Sequence, residues 1–156
     1  MIAPCSAAEA PRIYEVINDA AQAYRGVIPE DQWHEPYMPM QGLEAEMRAG
    51  VRFWVHGDFE GVMGLQDVQD VALIRHAYTR TQMQGRGIGG ALLEHLKRST
   101  ERRLLVGTWQ AADWALRFYQ GRGFRLVGAQ EKQRLLARYW TVSERQAEVS
   151  VVLVLG

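Results

Sequence analysis

Apolar residues recur along this chain with two periods, and the change from one to the other marks out the elements. Ile2 to Pro4 suit a short first strand, and Ser6-Ala7-Ala8-Glu9 then matches a capping box, in which side chains satisfy free backbone donors at a helix start. A helix should follow. Ile13, Val16, Ile17, Ala20 and Tyr24 fall at helical spacing, which gives it one buried face ending near Arg25-Gly26. Pro29, Pro36 and Pro39 break regular structure between Val27 and Met40, so this segment reads as a long surface connection. Such connections are often binding loops, and this one carries Trp33, His34, Glu35 and Tyr37. A short helix is expected around Leu43 to Arg48, stopping at Gly50.

The period then shortens. Val51 to His56 and Val62 to Gln66 read as two strands of a hairpin joined through Gly57 to Gly61, and Val71 to Thr79 as a third, longer strand. From Ile88, the residues Leu92, Leu93 and Leu96 mark an amphipathic helix, and Leu104-Leu105-Val106 a strand after it. Strand, glycine-rich turn, helix and strand form a crossover unit whose strands run parallel. A second helix is expected from Ala112 to Gln120, a strand from Phe124 to Val127, a short helix from Glu131 to Arg138, and a last strand from Ala147 to Leu155. The total is a mixed central sheet flanked by helices, an α/β (α+β) sandwich. No repeat, low-complexity tract or linker divides it, so residues 1–156 read as a single domain.

Composition narrows the class. Hydrophobic residues make up 47% and charged residues 23%, the balance of an ordinary globular protein rather than a disordered one. The longest purely apolar run, Val151 to Leu155, is too short to cross a bilayer as a helix. Met1 to Cys5 lack the features of a secretory signal, so a cytoplasmic location is expected. One cysteine, Cys5, cannot make an internal disulfide and reads as a free thiol. His34, His56, His76 and His95 are scattered, so no metal site is expected.

Net charge is zero but unevenly spread. Residues 1–74 hold four basic against twelve acidic side chains, and residues 75–138 hold thirteen basic against four acidic. An anionic cofactor beside an amine substrate would suit such a dipolar chain, and so would plain solvated helix faces. A nucleic-acid partner fits poorly, because the acidic half would repel phosphate backbones.

The segment with chemistry is Gln84-Gly85-Arg86-Gly87-Ile88-Gly89-Gly90, between a strand and a helix. Glycines there allow a tight turn and leave amide N–H groups unobstructed. The helix dipole adds partial positive charge where a pyrophosphate would sit, and Arg86 adds a full charge. Gly85, Gly87 and Gly90 also satisfy the weak dinucleotide pattern G-x-G-x-x-G. That fold wants an acidic residue ending the next strand, where this chain has Thr108-Trp109-Gln110.

Gln84 to Gly89 matches the acyl-CoA loop Q/R-x-x-G-x-G/A of the GNAT superfamily of N-acetyltransferases, which this sequence resembles. The resemblance extends upstream to Ala77-Tyr78-Thr79, where family members pair the pantetheine arm with strand backbone. Downstream, Ala115 to Phe124 is similar to the family's A-x-x-F-Y-x-x-x-G-F segment. The resemblance covers about residues 1–128 and implies one acyl-CoA N-acyltransferase domain.

It further implies that backbone amides of Gly85 to Gly89 hold the diphosphate, with Ile88 anchoring the helix and Gly90 in its first turn. Tyr119 matches the tyrosine near the coenzyme sulfur, where a phenol of pKa about 10 can protonate the departing thiolate. Its alternative is a core aromatic beside Phe118. The family often has an asparagine at the position of Ala112, and that contact is missing here.

Direct acetyl transfer requires a neutral amine, so a base must take one proton. His76, on the strand leading to the loop, is the first candidate, although strand alternation places it opposite Arg75, Ala77 and Thr79. Asp67, Asp70, His34 and Glu35 are the others. Trp33, His34, Glu35 and Tyr37 are candidates for an acceptor pocket; equally, their aromatics could pin the loop to the core. Trp54, Trp109, Trp114 and Trp140 are expected in the core or at a subunit contact. The expected activity is transfer of an acetyl group from acetyl-CoA to a primary amine of a small molecule or peptide in a ternary complex. A non-catalytic acyl-CoA-binding sensor or scaffold is the alternative. Edge strands and exposed aromatics are compatible with a homodimer.

Overall fold

A computed structural model describes residues 1–156 and turns the period-two segments into one seven-stranded sheet. The chain runs β1 (Ile2–Pro4), α1 (Ala10–Ala20), α2 (Met40–Arg48), β2 (Arg52–His56), β3 (Gly61–Val68), β4 (Val71–Thr79), α3 (Ile88–Ser99), β5 (Arg103–Trp109), α4 (Asp113–Gln120), β6 (Arg125–Leu126), α5 (Ala129–Tyr139), α6 (Glu144–Glu148) and β7 (Ser150–Leu155). The spatial order is β1-β2-β3-β4-β5-β7-β6. Only β4 and β5 pair parallel, as the crossover through α3 demands.

Alternation along the strands feeds two helical layers. Ala72, Ile74, Leu104 and Val106 face α3 and pack on Leu92, Leu93 and Leu96. On the other face Phe53, Val55 and Val62 cover Ile13, Val16, Ile17 and Leu43 of α1 and α2. Beside them Leu73, Leu105, Val152 and Val154 cover Leu135 and Leu136 of α5. Each such aliphatic side chain contributes about 1.5–3 kcal/mol on burial, so both layers are firmly held.

The capping box at Ser6 forms, with Glu9 Oε1 accepting from the Ser6 amide at 2.8 Å. The first helix gives way to a 3-10 turn over Ala21–Tyr24, and α2 starts earlier than expected, at Met40. The last strand needs correction: Ala147 and Glu148 lie in α6, and β7 begins at Ser150. Ser143 caps α6 by accepting from the Gln146 amide at 3.1 Å, and Ser143-x-x-Gln146 is itself a capping-box pattern. Lys132 then donates to the Ala147 and Ser150 carbonyls at 3.0 and 3.1 Å, fastening α5 to this corner.

Cys5 is half-buried, and desolvation together with the charge of Glu9 pushes its thiol up to about 11, which leaves it unreactive at neutral pH. No helix is long and apolar enough to cross a membrane.

Candidate active site

The sheet splits at its centre. Strands β4 and β5 pair from Val71↔Arg103 to Ile74↔Val106 and then separate. Beyond that point β5 continues against β7, while β4 keeps only β3 as a partner. The final residues of β4 therefore present backbone amides and carbonyls to an open gap. A cleft of about 440 Å³ occupies that gap, walled by β4 residues Ala77, Tyr78 and Thr79, the glycine loop, and α4.

The loop is shaped by its glycines. Gly85 and Gly87 have φ of +79° and +78°, and a Cβ at either would point into open space. L-residues rarely adopt this conformation, and with no side chains here the amides stay uncovered. Gly87 is the residue before the first turn of α3, so the free N–H groups of a twelve-residue helix start at the cleft. Asp19 of α1 accepts from the Thr81 amide at 2.8 Å and fixes the approach to the loop. Gln84, Gly85, Gly87, Ile88, Gly89 and Gly90 all line the cleft, whereas Arg86 is exposed at the loop tip and does not. Arg122 supplies a nearer cation, its guanidinium lying over Gly90 and 5.4 Å from the centre of the Phe118 ring.

Tyr119 reaches the same cleft from α4. Its ring packs edge-on against Phe118 and Phe124, at 5.1 and 5.4 Å between centroids. Burial, with a smaller effect from Tyr24, pushes its phenol up from the ordinary value, so it stays protonated at any working pH. Ala112 precedes α4 and is fully buried, and no side chain caps this helix.

A second cleft, of about 720 Å³, opens on the face covered by α1, α2 and α5. His34 and Tyr37 of the proline-rich connection line it, together with Glu46 of α2, Tyr139 and Trp140 at the end of α5, and Gln146 of α6. Trp140 lies over Gly107, where an added Cβ would meet the indole at 3.5 Å. Arg145 of α6 grips Asp31 of the connection through two contacts of 2.9 and 3.2 Å, tying α6 to the segment that carries the Asp31 wall. Tyr37 accepts from Trp109 Nε1 at 2.8 Å and lies 5.3 Å from the Tyr24 ring. Burial raises the pKa of Tyr24, Tyr37 and Tyr78, so all three hydroxyls remain neutral.

The two clefts meet. Tyr24, Ile74, His76, Tyr78, Gly107 and Thr108 line both. His76 stands at this junction because β4 carries a bulge: Arg75 pairs with Gly64 and Tyr78 with Val62, so His76 and Ala77 together oppose Met63. The bulged His76 has φ of +55°. Gly64 permits the close approach, since a Cβ there would come within 2.8 Å of the Arg75 carbonyl. Alternation is thereby broken, and the expectation that His76 faces away from Arg75 is corrected. Both now reach Glu46, His76 Nε2 at 2.7 Å and Arg75 Nη2 at 2.9 Å from the same Oε1. Burial opposes ionisation of Glu46, but the hydrogen bond from His76 and the charge of Arg75 outweigh it and hold the carboxyl below its usual range.

The other sequence candidates fall elsewhere. Asp67 pairs with Arg52 and Arg102, Asp70 accepts from Tyr139 at 2.7 Å, and neither lines a cleft. Glu35 is exposed beside Arg25, and Trp33 stacks on Tyr37 without lining the cleft. Among the tryptophans, Trp109 is buried, whereas Trp114 is 41% exposed on the wall of the first cleft. No group of three His, Cys, Asp or Glu side chains is placed to hold a metal ion. Glu46, Arg122 and the α5–α6 wall carry no local signal of a site; only the fold brings them there.

The profile of the Acetyltransferase (GNAT) domain matches residues 15–137, most of the chain, and the protein belongs to this family of acyltransferases. Its fold is shared by solved structures of low sequence identity. A GNAT-family acetyltransferase from Staphylococcus aureus Mu50 is 17% identical with a TM-score of 0.70, over 99% of this chain and 96% of that one. The PaiA N-acetyltransferase of Thermoplasma acidophilum, solved in complex with coenzyme A, is 16% identical with a TM-score of 0.70 over the same shares. A GNAT-family acetyltransferase from Elizabethkingia anophelis with acetyl-CoA bound is 19% identical with a TM-score of 0.64, again over 99% and 96%. A search of curated protein sequences found no match.

Proposed function

We propose that this protein is an N-acetyltransferase that moves an acetyl group from acetyl-CoA to a primary amine of a small molecule or peptide, both substrates being bound together. The observation that carries this reading is the meeting of two clefts at the β4–β5 split, with His76 at the junction and Tyr119 on the wall of the first. A pantetheine chain fits the first cleft by pairing with the free edge of β4 at Ala77 to Thr79, and a diphosphate fits the bare amides of Gly85 to Gly89. The acceptor enters from the second, past His34 and Tyr37.

Acetyl-CoA supplies an activated thioester when bound. His76 takes the proton that the attacking amine must lose. Tyr119 donates a hydrogen bond to the departing sulfur; because its phenol is a weaker acid than a thiol, it stabilises the thiolate rather than surrendering its proton fully. The test is release of free thiol from acetyl-CoA when the purified protein is given a panel of amines. Turnover with at least one amine is expected. Acetyl-CoA binding without any turnover would instead favour a sensor or scaffold.

A further inference from the structure

We propose that Glu46 is a positioning residue for the acetyl transfer: its carboxylate fixes the ring and tautomer of His76, so that Nδ1 keeps the lone pair that accepts the amine proton. This rests on His76 acting as the base proposed above. An ionised carboxylate can only accept hydrogen bonds, so the 2.7 Å contact from Glu46 Oε1 requires the hydrogen to sit on His76 Nε2. In the neutral ring Nδ1 is then bare.

Three elements converge to build this pair. Strand β4 delivers His76 through its bulge, α2 delivers Glu46, and β2 supplies Phe53, whose ring lies nearly parallel to the imidazole at 6.1 Å and 20°. Arg75 locks the carboxylate in turn, donating to Glu46 at 2.9 Å and to Gln66 Oε1 of β3 at 2.9 Å. The charged groups facing His76 are therefore Glu46 from α2 and Arg75 from its own strand, whereas β2 offers an uncharged ring. The neighbouring hydroxyls of Tyr24, Tyr37 and Tyr78 are neutral. An Arg75–Glu46 pair kept for stability alone would not need a histidine held in the left-handed region, which side chains rarely adopt. The strain is explained by where it puts the imidazole, at the junction of the two clefts.

The test reads the tautomer directly and needs no knowledge of the acceptor. Nitrogen-15 spectra of the histidine-labelled protein should show His76 as the Nε2–H form. In Glu46→Ala that form should give way to a mixture of tautomers, and in Glu46→Gln, whose amide can donate as well as accept, the preference for one tautomer should weaken. With an amine that is turned over, Glu46→Ala should lower kcat about tenfold or more at unchanged KM for acetyl-CoA, and His76→Ala about a hundredfold or more. If Glu46→Ala does not fold, the tautomer in Glu46→Gln decides. An unchanged tautomer in Glu46→Ala, or in Glu46→Gln where Glu46→Ala does not fold, overturns the role of Glu46. Full kcat in His76→Ala overturns the base assignment instead, whatever the spectra show.

Discussion

The two clefts are made in opposite ways. The floor and mouth of the first are backbone: a strand edge freed by the splitting of the sheet, glycines with open space over their Cα atoms, and the start of one helix, all from β4 to α3, with α4 closing the far wall. The second is largely side chains, brought in by the proline-rich connection, α2, the bulge of β4 and the α5–α6 segment, which are remote from one another in the chain. A backbone site suits a cosubstrate that never changes, because main-chain amides survive substitution of most neighbouring residues. A wall of side chains from several elements can be altered piece by piece, and under the proposed function it is the wall that meets the acceptor. The family is accordingly readable from the first cleft, and the acceptor is not.

Substitutions that act on one cleft alone would sharpen this contrast. The largest effect is expected for Gly87→Val, which forces a β-branched residue to φ near +78° at the mouth of α3. Backbone strain of about 1–3 kcal/mol falls on the loop itself, and calorimetry should show acetyl-CoA binding weakened about tenfold or more. Equal weakening of a bound amine would break the separation of the clefts. A smaller loss, about tenfold in kcat at unchanged affinity for acetyl-CoA, is expected for Tyr119→Phe. Native kcat in that variant would make Tyr119 a core aromatic packed between Phe118 and Phe124 and nothing more.

The smallest effect belongs to Asp31→Asn, which loosens the exposed bridge between Arg145 and the Asp31 wall of the second cleft. Exposed pairs are weak, so KM for the acceptor should rise only about two- to threefold, less at high salt, with acetyl-CoA binding untouched. An acceptor KM indifferent to both the substitution and salt would show that the bridge has no part in holding that wall.

The same contrast explains what the sequence discloses. Gln84 to Gly90 is legible because strand, turn and helix are contiguous, and the chemistry of bare amides follows from glycine alone. The bulge is not legible: whether His76 and Ala77 share one partner depends on where β3 pairs, and a strict period of two puts His76 on the wrong face. Glu46 sits in a correctly expected helix, yet its partners lie 29 and 30 residues away. A last strand drawn from Ala147 to Leu155 takes in two residues that fold as helix. The pattern Ser143-x-x-Gln146 was the available sign of a helix there. Trp33 and Glu35 show the limit of reading a cluster from adjacency alone, since Trp33 packs on Tyr37 and Glu35 pairs with Arg25 while His34 and Tyr37 line the cleft.

The proposed function depends most on the first cleft accepting an acyl thioester. Titration of the purified protein with acetyl-CoA in a calorimeter measures this directly. Saturable binding at one site per chain, weakened in Gly87→Val, is the predicted result. No heat of binding up to millimolar acetyl-CoA, from protein shown to be folded, would contradict it.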